Sequence, residues 1–186
     1  MKHLPSRIAL FLSALALLLP TAALAACSDE DSMPAEVCRH VSQLWDEGGD
    51  DLYVPLHTHH LRSAYSDEQI AHFNETPWGL GYGRSRTQDG HWEALYGMVF
   101  QDSHNKPEPM VGYAYQWLWS APQNVRAGLG YTLLVTARDD LYSYTPLPGI
   151  LPIASLQYGK VSLNTTYVPG GRGFGNILFF WSRIEL

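Results

Sequence analysis

Apolar and polar residues alternate with a period of two along much of this chain, and the alternation is cleanest between Arg126 and Thr136. There Ala127, Leu129, Tyr131, Leu133 and Val135 form one face, and Arg126, Gly128, Gly130, Thr132 and Thr136 form the other. Successive side chains of a strand point to opposite faces, so the pattern predicts a strand that is apolar on one side only. A later segment repeats it, with Leu163 and Tyr167 opposite Ser162, Asn164 and Thr166. From Leu52 onward the chain divides into about eight such segments of roughly ten residues. Turn signals separate them, among them Asp89-Gly90, Asn105-Lys106-Pro107 and Pro169-Gly170-Gly171. Number and length make the fold all-β and fit a small membrane barrel over residues 51–186. A soluble lipocalin-like barrel has the same period but turns its apolar face inward.

The period changes to that of a helix just before the strands. Ser32 and Pro34 are helix-start residues, and Val37, Val41, Leu44 and Trp45 then fall at i, i+4, i+7 and i+8 before Gly48-Gly49 stops the run. This predicts a short amphipathic helix within residues 27–50, either capping a core or lying at a membrane surface. Ahead of it, Lys2 and Arg7, an apolar run from Ile8 to Leu19 and a small-residue end compose a secretory signal over residues 1–26, with cleavage after Ala25 or Ala26. Two of the 12 basic residues and none of the 18 acidic ones lie in that signal, which leaves 10 against 18 and a net charge of −8. Such a balance excludes a basic nucleic-acid surface. No later segment has the roughly 18 consecutive apolar residues of a membrane helix, so a chain that enters a membrane must do so as a closed barrel.

Export also bears on the two cysteines, Cys27 and Cys38. An exported pair can persist as a disulfide. Equally, Leu24-Ala25-Ala26-Cys27 has the form of a bacterial lipoprotein box, which would place lipid on Cys27 instead.

Glycine inside a strand loses packing and entropy, so a face full of it requires a reason. Gly79, Gly81, Gly83 and Ser85 share one face, as do Met110, Gly112, Ala114, Gln116 and Leu118. Either the interior is left open for a long thin ligand, or the glycines let a small barrel bend at its corners. Opposite Gly112 run Val111, Tyr113, Tyr115, Trp117 and Trp119, an outward face that ends in interface-type aromatics. Among candidate chemical groups, His57 and His59 share a strand face, which allows two metal ligands, but the sequence offers no third and no metal is expected. His60 faces the other way with Thr58 and Arg62. In Phe100-Gln101-Asp102-Ser103-His104-Asn105 a strand runs into a loop through an Asp-Ser pair. With a histidine as general base, that serine could serve acyl transfer; alone, Asp and Ser at a strand end are ordinary turn residues.

The segments YVPLHTHHLRSAY (Tyr53 to Tyr65), FNETPWGLGYGRSR (Phe73 to Arg86), FQDSHNKPEPMVGYAY (Phe100 to Tyr115), LGYTLLVTARDD (Leu129 to Asp140), TPLPGILPIAS (Thr145 to Ser155) and TTYVPGG (Thr165 to Gly171) together resemble the lipid A palmitoyltransferase family, PagP. The likeness runs in order and at matching spacing through essentially the whole mature chain. It implies an eight-stranded antiparallel transmembrane β-barrel with a short N-terminal amphipathic helix, an outer-membrane enzyme that moves a palmitate-like acyl chain from a glycerophospholipid onto lipid A of lipopolysaccharide, as a monomer and without cofactor. The family's essential histidine falls on His60 and its Asp-Ser pair on Asp102 and Ser103. Prolines that interrupt strand pairing and open lateral routes for lipid fall on Pro55, Pro77, Pro152 and Pro169. Gly112 and Ala114 fall in the acyl pocket, with Ala114 where the family has a glycine that sets its depth. In this reading His60 is the general base or proton shuttle, Asp102 orients or charge-balances it, and Ser103 is the nucleophile or a donor to the oxyanion. The competing readings are a non-catalytic lipid-binding or structural barrel, and a phospholipase that transfers the same acyl group to water.

Overall fold

The computed structural model describes residues 32–141 and 143–186; the expected signal segment, its cleavage site and Cys27 lie outside the described residues. Helix α1 is Met33–Glu47; up to Asp46 it belongs to one compact unit, and the chain from Glu47 to Leu186 forms another. Ser32 starts the helix as expected: its carbonyl accepts from the Ala35 and Glu36 N–H groups at 3.0 and 3.2 Å, and its Oγ accepts from Ala35 N at 3.4 Å. Leu44 is buried, whereas Val37, Val41 and Trp45 stay exposed, so the helix carries an uncovered apolar stripe. Cys38, on this helix, is disulfide-bonded rather than free.

The second unit is a closed antiparallel barrel in which each strand pairs with its sequence neighbours and the last closes on the first. Its strands are β1 (Gly49–His60), β2 (Gly79–Gln88), β3 (His91–Gln101), β4 (Pro107–Ala121), β5 (Val125–Thr136), β6 (Leu147–Tyr158), β7 (Val161–Val168) and β8 (Ile177–Glu185), with a short helix α2 (Asp67–His72) between β1 and β2. β1 begins at Gly49, slightly ahead of the expected Leu52, because Gly49 already pairs with Ser85. The β2–β3 hairpin turns on Asp89 and Gly90, both at positive φ (51° and 78°), the backbone that matches strand twist in a two-residue loop.

The faces are inside out relative to a soluble barrel. On β5, Leu129, Leu133 and Val135 are exposed while Gly128, Thr132 and Leu134 are buried; on β7, Leu163 is exposed while Ser162, Asn164 and Thr166 are buried. An apolar exterior around a partly polar interior is the arrangement of a membrane barrel, where lipid takes the place of a core. The interior is graded along its axis. Near the β1 C-terminus it is apolar, with Phe100 stacked on Phe179 at 4.8 Å and Met98 beside them. At the other end Arg183 pairs with Asp51, Gln157 with Glu185, and Asn164 with Ser162. The glycine face of β2 answers to packing: a side chain at Gly81 would overlap Met98, and one at Gly83 would come within 2.9 Å of the Tyr53 ring. Neither open space nor bending is the reason at these two positions; they make room for Tyr53, which is 2% exposed.

Two ladders stop short. β1 pairs with β2 only from Gly49 to Tyr53, although it continues along β8 to His60↔Ile177, with a register shift between Pro55 and His57. β6 pairs with β7 only from Ile153 to Tyr158, although it follows β5 back to Leu147. Proline has no N–H to give a ladder, and Pro55 and Pro152 stand just past the last paired residues. Pro77 precedes β2 and Pro169 follows β7, on the facing sides of the same two openings.

Candidate active site

His60 ends β1 and points inward, 2% exposed, because the bulge after Pro55 resets the strand's phase and brings Thr58 and His60 to the interior. Its ring is stacked on Phe73 at 4.4 Å and met edge-on by Tyr65 at 5.1 Å. The Tyr65 hydroxyl donates to the Gly175 carbonyl, so the aromatic wall is fastened to the loop before β8. Across the barrel mouth the chain leaves β3 through Asp102 and Ser103. Asp102 Oδ1 accepts from the N–H groups of His104 and Lys106 at 2.8 and 2.7 Å, and its own N–H donates to the Lys106 carbonyl at 2.8 Å. This tight turn presents Ser103, whose Oγ lies 3.0 Å from His60 Nε2. Two residues 43 apart in sequence are thereby joined as hydroxyl and base.

Asp102 makes no hydrogen bond to His60; its Oδ1 shapes the serine's turn, and its Oδ2, buried at the mouth, has no hydrogen-bond partner and lies 4.0 Å from His104 Nδ1. The group on the far side of His60 is Glu75, whose Oε1 is 3.0 Å from His60 Nδ1. Arg62 forks both Glu75 oxygens at 2.8 Å. That fork, joined by the backbone and ring N–H groups of His60, holds the Glu75 carboxyl well below the usual carboxylate range. Glu75 was missed in sequence because it lies 15 residues from His60, in a loop, with no spacing rule to link them; the one signal was its place in the segment FNETPWG.

Ser103 stands at the edge of a cavity walled mainly by Met98, Phe100, Met110, Leu134 and Phe179. Its inner end is closed by Tyr96, Thr132 and Trp181. Thr132 Oγ1 donates to the Tyr113 carbonyl at 3.0 Å, so its single proton is used and the Tyr96 hydroxyl donates to it at 2.8 Å, which pins the ring across the barrel. Gly112 and Ala114 are not among the residues that wall this cavity: a Cβ at Gly112 would stand 2.7 Å from the Tyr96 hydroxyl, so the ring covers that position. Ala114, 3% exposed, lies deeper, packed with Trp92, Ala94 and Ile153 behind Tyr96 and Trp181. The His57 and His59 rings stand 6.2 Å apart. Among the described residues, Asp102, His104 and Asp140 come close enough to share an ion, but Arg138 forks Asp140 at 2.9 Å on both oxygens.

With this geometry in view, the comparisons decide the family. Residues 40–183 match the family described as antimicrobial peptide resistance and lipid A acylation protein PagP. The chain is 53% identical over 169 residues to the lipid A acyltransferase PagP of Methylobacillus flagellatus, covering 90% of this chain and 92% of that one. It belongs to the PagP family. Two further PagP proteins, from Bordetella parapertussis and Yersinia enterocolitica, are 45% and 44% identical, over 91% and 83% of this chain and 93% and 77% of theirs. The PagP match spans β1 to β8 and so contains both ends of the Ser103–His60 pair and both interrupted ladders.

Proposed function

We propose that this chain is an outer-membrane acyltransferase that takes a long acyl chain, palmitate or close to it in length, from a glycerophospholipid and places it on lipid A. The observation that carries the reading is the Ser103–His60 pair, 3.0 Å apart at the mouth of an apolar cavity shaped for a chain rather than for a headgroup. The donor's acyl carbon–oxygen bond breaks and an ester to the acceptor hydroxyl forms. His60 takes the proton of the attacking hydroxyl and returns it to the oxygen of the departing lysophospholipid. Ser103 supplies either the first attacking hydroxyl or a hydrogen bond to the oxyanion. Lipid reaches the interior sideways: the openings beside Pro55 and Pro77, and beside Pro152 and Pro169, support two lateral routes, one for each lipid.

Mass spectrometry of lipid A from cells with and without the protein tests this. One added acyl group, with lysophospholipid as the second product, is the expected result. Free fatty acid with unchanged lipid A would instead make the protein a phospholipase. A purely structural barrel leaves the buried hydroxyl–imidazole pair without a purpose.

The cavity's closed end yields a second expectation. The Tyr96 shelf, with Thr132 and Trp181, sets chain length, so Tyr96→Ala lengthens the preferred chain by at least two methylenes. Burying one methylene is worth about 0.8 kcal/mol, or roughly a fourfold preference. Ala114→Gly, behind the shelf, leaves the profile as it is. Turnover of a mixed-chain phosphatidylcholine series in detergent reads both; a shift with Ala114→Gly and none with Tyr96→Ala would place the floor at Ala114 after all.

A further inference from the structure

His60 uses both ring nitrogens. Nε2 faces Ser103 Oγ and Nδ1 faces Glu75 Oε1, each at 3.0 Å. An ionised carboxylate has no proton to offer, so the proton in the second contact belongs to Nδ1. Nε2 is then left with its lone pair toward the serine hydroxyl, which is the tautomer a general base requires. Glu75 is held in turn: Oε1 accepts from Arg62 Nη1 at 2.8 Å and from the His60 backbone N–H at 3.0 Å, and Oε2 accepts from Arg62 Nη2 at 2.8 Å. A bidentate guanidinium fixes a carboxylate in plane and direction, not merely in charge.

We propose that Glu75, locked by Arg62, is a positioning residue for acyl transfer: it fixes His60 in the tautomer with Nε2 free and stabilises the imidazolium formed when Nε2 takes a proton. The inference rests on the acyl-transfer reading above. The proton path is closed without further reactants. The attacking hydroxyl's proton goes to Nε2, the Nδ1 proton stays on His60, and the Nε2 proton passes to the departing lysophospholipid oxygen. Glu75 receives none, because the Arg62 fork keeps it ionised. A carboxylate behind a histidine plays this part in serine acyl-transfer triads, where exchanging it for the amide selects the wrong tautomer. A merely structural role is served by a different contact: the Thr58 N–H donates to the Glu75 carbonyl at 2.9 Å, a backbone tie that no side-chain substitution removes.

The test compares Glu75→Gln and Glu75→Asp with wild type, full-length and refolded in detergent, with phosphatidylcholine donor and lipid A acceptor. Glu75→Gln is expected to lower kcat by about 100-fold or more, with KM changed by less than about threefold, and Glu75→Asp to recover part of the loss. Among the described residues, the titratable or charged groups facing His60 are Glu75, Arg62, its neighbour His59 and the edge-on Tyr65. Removing the one anion among them disfavours the imidazolium, so the acidic limb of the Glu75→Gln rate profile moves to lower pH. Nitrogen NMR of histidine-labelled wild-type protein in micelles gives an independent reading: His60 is expected protonated at Nδ1 and bare at Nε2 above its titration. A Glu75→Gln enzyme within threefold of wild-type kcat, or a His60 protonated at Nε2, overturns the proposal. If Glu75→Gln fails to fold, the wild-type NMR reading decides. A wild type with no transfer activity would remove the functional reading, while the tautomer would still report on Glu75.

Discussion

Ser103→Ala and His60→Ala each lower acyl transfer by about 10³-fold, some 4 kcal/mol of transition-state stabilisation, while the barrel stays folded. The double variant is expected to be no worse than either single one, because a hydroxyl and its base act as a unit and lose nearly everything together. Folding is spared for a local reason. Ser103 stands in the turn after β3, outside every ladder, and His60 is the last residue of β1. Asp102→Ala should also cost most of the activity, but by another route: it deletes the acceptor that holds the His104 and Lys106 N–H groups and so loosens the turn that presents Ser103. Turnover in detergent, alongside electrophoretic mobility with and without heating as the folding control, reads all four. Retention of more than a tenth of wild-type turnover in both single variants would remove the pair from the chemistry.

Breaking the ion pair at the opposite end of the barrel should have the largest effect on stability. Arg183 Nη1 donates to both Asp51 oxygens at 3.0 and 3.3 Å, and the two side chains are 3% and 1% exposed. The guanidinium also reaches Glu185 at 3.1 Å and lies 4.9 Å over the Trp92 ring. Asp51→Ala removes the buried carboxylate and leaves Arg183 only the partly exposed Glu185 at 3.1 Å, and loss of one partner of a buried pair typically costs about 3–5 kcal/mol. Replacing both members with apolar residues of similar volume, Asp51→Leu with Arg183→Met, recovers most of that loss, because the desolvation penalty disappears with the charges. Urea unfolding in micelles, followed by tryptophan fluorescence, measures each. A loss under about 1 kcal/mol for Asp51→Ala would show that water reaches the pair, contrary to its burial.

Local pattern carried a large part of this architecture. The period of two in β5 and β7, the stripe and Ser32 start of α1, and the Asp89-Gly90 turn all appear where the sequence places them. Each depends on neighbours within a few residues, which is the range over which backbone preference and side-chain alternation act. The prolines were legible for the same reason: a missing N–H is a property of the residue itself, and the ladders end beside Pro55 and Pro152. Chemistry was legible as residue types, a histidine and a serine able to work together, but not as geometry.

The tertiary structure decided what no local rule contains. Alternation says that two faces differ but not which one is inside; only closure of β8 on β1 turns Thr132, Ser162 and Asn164 inward and Leu129 and Leu133 outward. Asp51 meets Arg183 across 132 residues because that closure sets the register of the first strand against the last. Glu75 reaches His60 from a loop, where side-chain direction follows the path of the backbone rather than a period. The depth of the cavity depends on where the Tyr96 ring lies, and that is fixed by a hydroxyl bond to Thr132 two strands away and by the bare wall at Gly112 beneath it. The sequence alone could determine that the chain alternates, turns and carries a base and a hydroxyl. Which groups share the interior, and how far a lipid chain can enter it, follow from packing between segments distant in sequence, whose separations are set only when the barrel closes.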